Sequence, residues 1–365
     1  MVNPYNHLKN SLEISHGSNP TFKSIEGLRG IAVVLVFLVH YTSLTHQWHP
    51  EYLEDIASAI TQFGHLGVDL FFVLSGFLIY KSIMTKDNFS PIAYVKRRAR
   101  RIYPVFLIVL AIYLLLSLIF TSESKLPESG VLLYILQNIF LLPGIFFIEP
   151  IITVAWSLSY EALYYFMIPF LIFGLKLKQW RVNHRIIVWS AVSVIYLALC
   201  NNLEWREVWG HRSHLVMFIA GIILFEIHNV KGITVTRYGT ICFLLALLLN
   251  ASRQYVSINN AFIIAIIYVL FFFFCLCAFN TMSIAYRWLT ITPLRWLGNI
   301  SYSYYLIHGL TLKAFFLACS SLVPPGYTSA SIYPALLLPS FISTLVVAYV
   351  LFIFVERPYS LQQTQ

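Results

Sequence analysis

Charge is what this chain has least of. Only 11% of its 365 residues are Asp, Glu, Lys or Arg, against roughly 25% in a soluble domain. Hydrophobic residues make up 59%, and the mean hydropathy is +0.75, so a water-soluble globule is excluded and an integral membrane protein is expected. Cysteine is also scarce. Cys200, Cys242, Cys275, Cys277 and Cys319 lie in or beside apolar runs, where a thiol behaves as a small hydrophobe, so neither a disulfide framework nor a metal site is expected from them. Internal repeats and low-complexity tracts are not apparent. The polar first 20 residues lead directly into an apolar run with an internal Arg and do not read as a cleaved signal peptide. The net charge of +9 is better explained by Lys and Arg in cytoplasmic loops than by nucleic acid, and no nucleic-acid partner is expected.

Apolar runs of spanning length, about 17 to 25 residues, recur from residue 30 to 355. The expected spans cover 24–45, 62–83, 104–120, 155–175, 186–201, 213–230, 238–252, 260–281, 297–319 and 332–355. The fold class is therefore an all-α polytopic membrane protein, a bundle of about ten transmembrane helices with both termini cytoplasmic. With the N-terminus inside, every Lys and Arg except Lys125, Arg206, Arg212, Arg253 and Lys313 falls on or toward the cytoplasmic side, as the positive-inside rule requires. The segment 131–150 is apolar enough to cross but is interrupted by Gln137, Asn138, Pro143 and Gly144. A full crossing there would invert everything downstream, so a partial or re-entrant element is expected, its backbone shielded by protein. The expected organisation is a cytoplasmic tail over 1–23, one transmembrane domain over 24–358 and a second tail over 359–365.

Ionisable groups at bilayer depth are costly and mark functional sites by default. Counting about 1.5 Å per helical residue from the outer end of each span puts His40 about five residues deep, Asp69 about seven and Glu161 about six, within roughly one turn of the same level. A carboxylate there could orient the imidazole and leave its other nitrogen to take a proton from a hydroxyl. The bland alternative is a satisfied core histidine with two acidic groups acting as inter-helix glue; the coincidence in depth favours the catalytic reading. Arg29 precedes His40 by eleven steps of about 100°, which returns to within roughly 20° of the same face, some 16 Å along the axis. That span resembles the reach of an extended phosphopantetheine arm, with phosphates near Arg29 and a thioester near His40. Snorkelling of Arg29, paired with Glu26, is the competing reading.

The run "KRRARRIYP", 96–104, sets Arg98 and Arg101 on one helix face, suited to phosphate oxygens, although such a run also serves as a topology signal or an anionic-lipid contact. In "GNISYSYYLIHG", 298–309, His308 lies among Ser and Tyr hydroxyls that could line a polar path or form a hydrogen-bonded seam; Trp156, Tyr305 and His308 are candidate substrate-path residues. The loop 201–214 mixes aromatics with charges as a carbohydrate surface would, but reads better as an ordinary solvated loop with interfacial Trp anchors.

In chain order, "EGLRGIAVVLVFLVH", "GVDLFFVLSGFLI", "RRARRIYP", "WSLSYEALYY", "GNISYSYYLIH" and the terminal "VERP" resemble the acyltransferase 3 family of integral-membrane acyltransferases. The similarity runs from about residue 24 to 358. What the resemblance implies is a bundle of about ten helices in the bacterial inner membrane that moves an acyl group, usually acetyl, from cytoplasmic acetyl-CoA or another acyl-CoA to a hydroxyl of an envelope glycan such as O-antigen. The family's essential Arg and His match Arg29 and His40, its arginine motif matches Arg98 and Arg101, and its acidic positions match Asp69 and Glu161. Two features differ: Glu26 stands where many members have Asp, and no helix leads to a C-terminal soluble esterase-like domain, so the stand-alone form is expected.

The expectation is thus an O-acetyltransferase of surface polysaccharide. Arg29, Arg98 and Arg101 would hold CoA phosphates, and His40, oriented by Asp69 or Glu161, would deprotonate the acceptor or carry the acyl group itself. No metal is expected. A small-molecule acceptor such as a macrolide, a proton-coupled transporter and a structural scaffold are the alternatives.

Overall fold

A computed structural model of the chain describes residues 4–14, 20–121, 124–201, 214–230, 237–255, 260–324 and 326–361. Most of the 201–214 loop lies outside the described residues, as do Arg206, Arg212 and Lys231. The architecture is helical, with no strand among the described residues. In a chain this apolar, helices satisfy every backbone group within the segment, which is what a hydrocarbon environment demands.

The helices run α1 Pro4–Leu12, α2 Pro20–Thr45, α3 Glu54–Gly64, α4 Leu66–Met84, α5 Pro91–Ile119, α6 Val131–Ile139, α7 Trp156–Gly174, α8 Val182–Asn201, α9 Val216–His228, α10 Gly239–Ala251, α11 Asn260–Ala278, α12 Ile284–Leu289, α13 Thr292–Asn299, α14 Ser301–Ser320 and α15 Ile332–Leu351. A π-helical stretch, Phe352–Ser360, continues α15. Among the described residues, four segments are long and apolar enough to cross a membrane: Glu51–Met84, Pro91–Ile119, Val182–Cys200 and Ile332–Ser360. Shorter apolar helices occupy Val216–His228, Gly239–Ala251 and Phe262–Ala278.

Two boundaries differ instructively from the expected ones. Helix α5 starts at Pro91 rather than near 104, because Ser90 caps it, its hydroxyl accepting from the Ala93 N–H at 3.3 Å, and Pro91 suits the first turn. The arginine run therefore lies inside the helix. The N-terminal segment, expected as a plain tail, forms α1 and is tied down. Asn299 donates to the Leu12 carbonyl at 2.9 Å, Trp296 to Glu13 at 2.9 Å, and Arg295 to Glu13.

The chain separates into two compact units, each built from distant stretches: Met1–Lys86 with Ile168–Ser301 and Pro325–Ala335, and Asp87–Met167 with Tyr302–Pro324 and Leu336–Gln365. In the first unit, α2 lies directly against α12 and α13. A Cβ on Gly27 would sit 1.9 Å from the Leu289 carbonyl oxygen, so the glycine is what permits the approach. Helices α4 and α9 cross in the same manner, with Phe72 stacked on Phe218 at 4.5 Å. Beside this crossing lies a buried polar group: Arg185 donates from Nη2 to Glu226 at 2.9 Å, Arg185 Nε donates to the other oxygen, and Tyr80 donates to Glu226 at 2.6 Å.

In the second unit, α6 spans nine residues, too few to cross a bilayer. Three positive-φ residues, Leu141, Gly144 and Phe147, carry the chain through the irregular segment that follows. Side chains satisfy its backbone: Asn138 Oδ1 accepts from the Ile151 N–H at 2.9 Å, Tyr160 donates to the Gly144 carbonyl at 2.6 Å and Tyr134 to the Glu149 carbonyl at 2.8 Å. These bonds satisfy irregular backbone from within the protein.

Candidate functional site

Arg29 and His40 sit on a single uninterrupted helix, α2. That continuity gives them the expected shared face and a separation of about 16 Å. Arg29 falls between Gly27 and Gly30, both against the α12–α13 region, and Glu26 one turn earlier accepts from Arg295 at 2.7 Å. The glycines of "EGLRG" thus serve packing, while the arginine between them stays half-buried.

Around the far end of α2 the first unit surrounds Asp69 with His65, His214 and Arg253, which the sequence alone did not single out. Asp69, only 2% exposed, has both carboxylate oxygens 2.9 Å from His214 Nδ1. His65, one turn before Asp69 on the same chain, interacts electrostatically with His40, Asp69 and His214. Arg253, just past α10, acts on Asp69, His65 and His214. The expected partner of Asp69 was His40; its carboxylate is held by His214 instead. The available signal was the four-residue spacing of His65 and Asp69 in "GHLGVD", which places them on one face. His214 closes a loop of nearly 150 residues on Asp69 and had no local signature.

A carboxylate on Nδ1 fixes a histidine tautomer and leaves Nε2 able to accept a proton. His214 can therefore act as a base in its own right, next to the His65 imidazole.

The second unit forms a different constellation around Arg98. Its guanidinium lies 5.3 Å from the Tyr94 ring centroid and 4.9 Å from that of Tyr165, and Tyr165 donates to Glu161. Glu161 also acts on Arg98 directly. Counting from helix ends had set Arg98 near the cytoplasm and Glu161 near the outside. They are neighbours in the second unit, Arg98 lying within the body of α5.

Arg101 pairs with Glu356 of the terminal "VERP" at 2.7 Å and packs over the Tyr302 ring at 5.4 Å. Glu356 is fully buried and accepts further from the Ser303 N–H at 3.0 Å and the Ser303 hydroxyl at 2.6 Å. Sequence reading had named "VERP" without giving its acid a role.

Of the substrate-path residues, Trp156 is 37% exposed and meets Tyr160 edge-on. The Tyr305 hydroxyl bonds Ser157 Oγ at 2.8 Å and donates to the Val154 carbonyl at 3.1 Å. His308 is fully buried, its Nδ1 bonded to the Tyr304 and Tyr305 carbonyls at 3.0 and 2.8 Å, its ring stacked on Tyr304. For Tyr305 and His308 these contacts are those of a hydrogen-bonded seam within the second unit.

Apolar helices of spanning length, with ionisable clusters buried among them, define a multi-pass membrane protein carrying a polar reaction or binding site. A sequence profile of an acyltransferase domain, acyltransferase 3, matches residues 22–353, and the chain belongs to that family. The O-acetyltransferase OatA of Staphylococcus aureus strain NCTC 8325 is 25% identical, over 78% of this chain and 49% of its own length, and OatA of strain COL matches equally. Another protein of strain COL, whose name also describes an O-acetyltransferase, is 24% identical over 78% of this chain and 49% of its own length. The chain thus spans about half the length of the curated relatives it matches. No solved structure matches it.

Proposed function

We propose that the protein is a membrane O-acyltransferase, moving an acetyl group from acetyl-CoA to a hydroxyl of a cell-surface polysaccharide or lipid-linked glycan, in a bacterial inner membrane crossed about ten times with both termini cytoplasmic. The observation that carries this reading is α2, one unbroken helix holding Arg29 and His40 on one face about 16 Å apart, in a chain of the acyltransferase 3 family. The donor's phosphates belong at the Arg29 end. Within the second unit, Arg98 and Arg101 are guanidinium groups suited in kind to phosphate oxygens, Arg101 retaining N–H groups beyond those that face Glu356. The thioester belongs at the His40 end.

In the transfer step the acceptor hydroxyl gives its proton to His40 as its oxygen adds to the thioester carbonyl. The C–S bond then breaks, and the proton passes to the departing CoA thiolate. His65 lies near His40, and the His214–Asp69 pair lies beside His65. The names of the OatA relatives support acetyl over longer chains and a hydroxyl as the acceptor group.

The test is acetyl transfer from radiolabelled acetyl-CoA into envelope glycan, in membranes with equal amounts of wild type, His40→Ala or Asp69→Asn. Wild type should incorporate label, His40→Ala none, and Asp69→Asn at least about 100-fold less, the usual scale of a general acid–base contribution. Label persisting at the wild-type rate in His40→Ala would overturn the role given to His40.

A further inference from the structure

The chain leaves α2 through a short helical turn, His46–Trp48, and enters α3 through another, Glu51–Leu53. This connection brings together three groups outside the clusters described above. His46 Nδ1 lies 3.2 Å from Glu54 Oε2, and ligand atoms of His46, His49 and Glu54 all lie within 4.8 Å of one another. An exposed imidazole beside a glutamate is by itself an ordinary surface pair. What sets this one apart is His49, which is 7% exposed while neither of its ring nitrogens has a hydrogen-bond partner among the described residues.

A buried imidazole with both nitrogens unbonded has given up its hydrogen bonds to water without replacement, and such a group calls for a partner. Its nearest rings are Tyr333 at 5.3 Å and His46 at 6.3 Å between centroids. A metal ion would engage one of the two unbonded nitrogens. We propose that His46, His49 and Glu54 bind a divalent transition metal, Zn²⁺, with water as the fourth ligand. Two imidazoles and one carboxylate are a borderline-soft set suited to zinc, whereas Mg²⁺ and Ca²⁺ take all-oxygen shells. In a tetrahedral zinc site with bonds of about 2.0–2.2 Å, neighbouring ligand atoms stand about 3.3 Å apart. The His46–Glu54 separation already has that value, and His49 reaches the same spacing by a shift of an ångström or so.

Burial also lowers the His49 pKa, reinforced by His46 and opposed by Glu54, which keeps the imidazole neutral and able to coordinate at pH 7. The ion would pin the end of α2 to the start of α3. That end is already stitched by Tyr41 donating to the Tyr333 carbonyl, by the Thr42–Tyr333 hydroxyl pair at 2.8 Å, and by the Ser329 N–H donating to the Trp48 carbonyl at 3.2 Å. His40 lies on the same helix, so metal occupancy would stiffen the segment carrying it without touching the acyl chemistry.

The experiment uses the full chain in detergent, purified without a polyhistidine tag, equilibrated with Zn²⁺ and assayed for bound metal and for Zn²⁺-dependent thermal stabilisation. Wild type should retain one equivalent and melt higher with zinc. His46→Ala and Glu54→Gln, both at exposed or half-exposed positions that fold without the side chain, should bind more than about tenfold more weakly and lose the stabilisation. Wild type without zinc, or retention and stabilisation equal in wild type and both variants, would overturn the proposal.

Discussion

Replacing Glu356 by Gln tests the architecture of the second unit most sharply, because it removes one charge while keeping shape. Glu356 is fully buried, and Arg101 has 23% of its side chain exposed. At an effective dielectric near 20, opposite charges about 4 Å apart attract by roughly 4 kcal/mol. Exposure of the guanidinium discounts that value, while two charge-assisted hydrogen bonds from Ser303 weaken to neutral ones, costing on the order of 1 kcal/mol each. Part is recovered because the Gln amide oxygen still accepts from Ser303. The net expectation is about 3 kcal/mol, the lower end of the range for breaking a buried pair. It is measured by reversible unfolding in mixed detergent and SDS, on wild type, Glu356→Gln, Arg101→Gln and the double variant. The double variant should be much less destabilised than the sum of the singles, with a coupling of at least about 1.5 kcal/mol. A coupling near zero, or a Glu356→Gln loss below about 0.5 kcal/mol, would refute the view that the last helical stretch is fastened through this pair.

Gly221→Ala should destabilise the first unit by about 1–3 kcal/mol, because the new Cβ would lie 2.0 Å from the Val73 carbonyl oxygen, whereas Gly174→Ala, with open space around it, should be neutral or slightly stabilising; detergent melting curves compare them. At Glu13, burial acts to raise the carboxyl pKa but the hydrogen bonds from Arg295 and Trp296 outweigh it, leaving it below the ordinary 4.5. A carboxylate with a lowered folded-state pKa contributes stability above its unfolded value and loses it as pH falls through the folded one. Melting temperature should therefore drop between pH 4.5 and lower values more steeply in wild type than in Glu13→Gln, and parallel pH profiles would contradict the docking of the N-terminal helix.

Much of the helical architecture was legible in the composition and in the lengths of apolar runs, because a backbone without water has few ways to satisfy its hydrogen bonds. A helix forms in each stretch where a span was expected. The short α6 was likewise readable from Asn138, Pro143 and Gly144, residues that a continuous lipid-facing helix does not accommodate. Arg29 and His40 share a face for a local reason, the 3.6-residue period of one helix, and so the sequence alone sufficed to relate them.

What no local pattern encodes is which distant groups neutralise each other. The two carboxylates expected beside His40, Asp69 and Glu161, acquire separate partners. Asp69 goes to His214, Glu161 to Tyr165 and Arg98, and the arginine expected at the cytoplasmic face, Arg101, to Glu356. Counting residues from helix ends assumes straight helices of equal depth, and the Arg98–Glu161 neighbours do not obey it. Composition and period dictate helices and their faces because those are short-range consequences of hydrogen bonding and side-chain geometry. Only the tertiary structure decides the pairing of buried charges, since each carboxylate takes whichever cation the packing of helices far apart in the chain brings within reach.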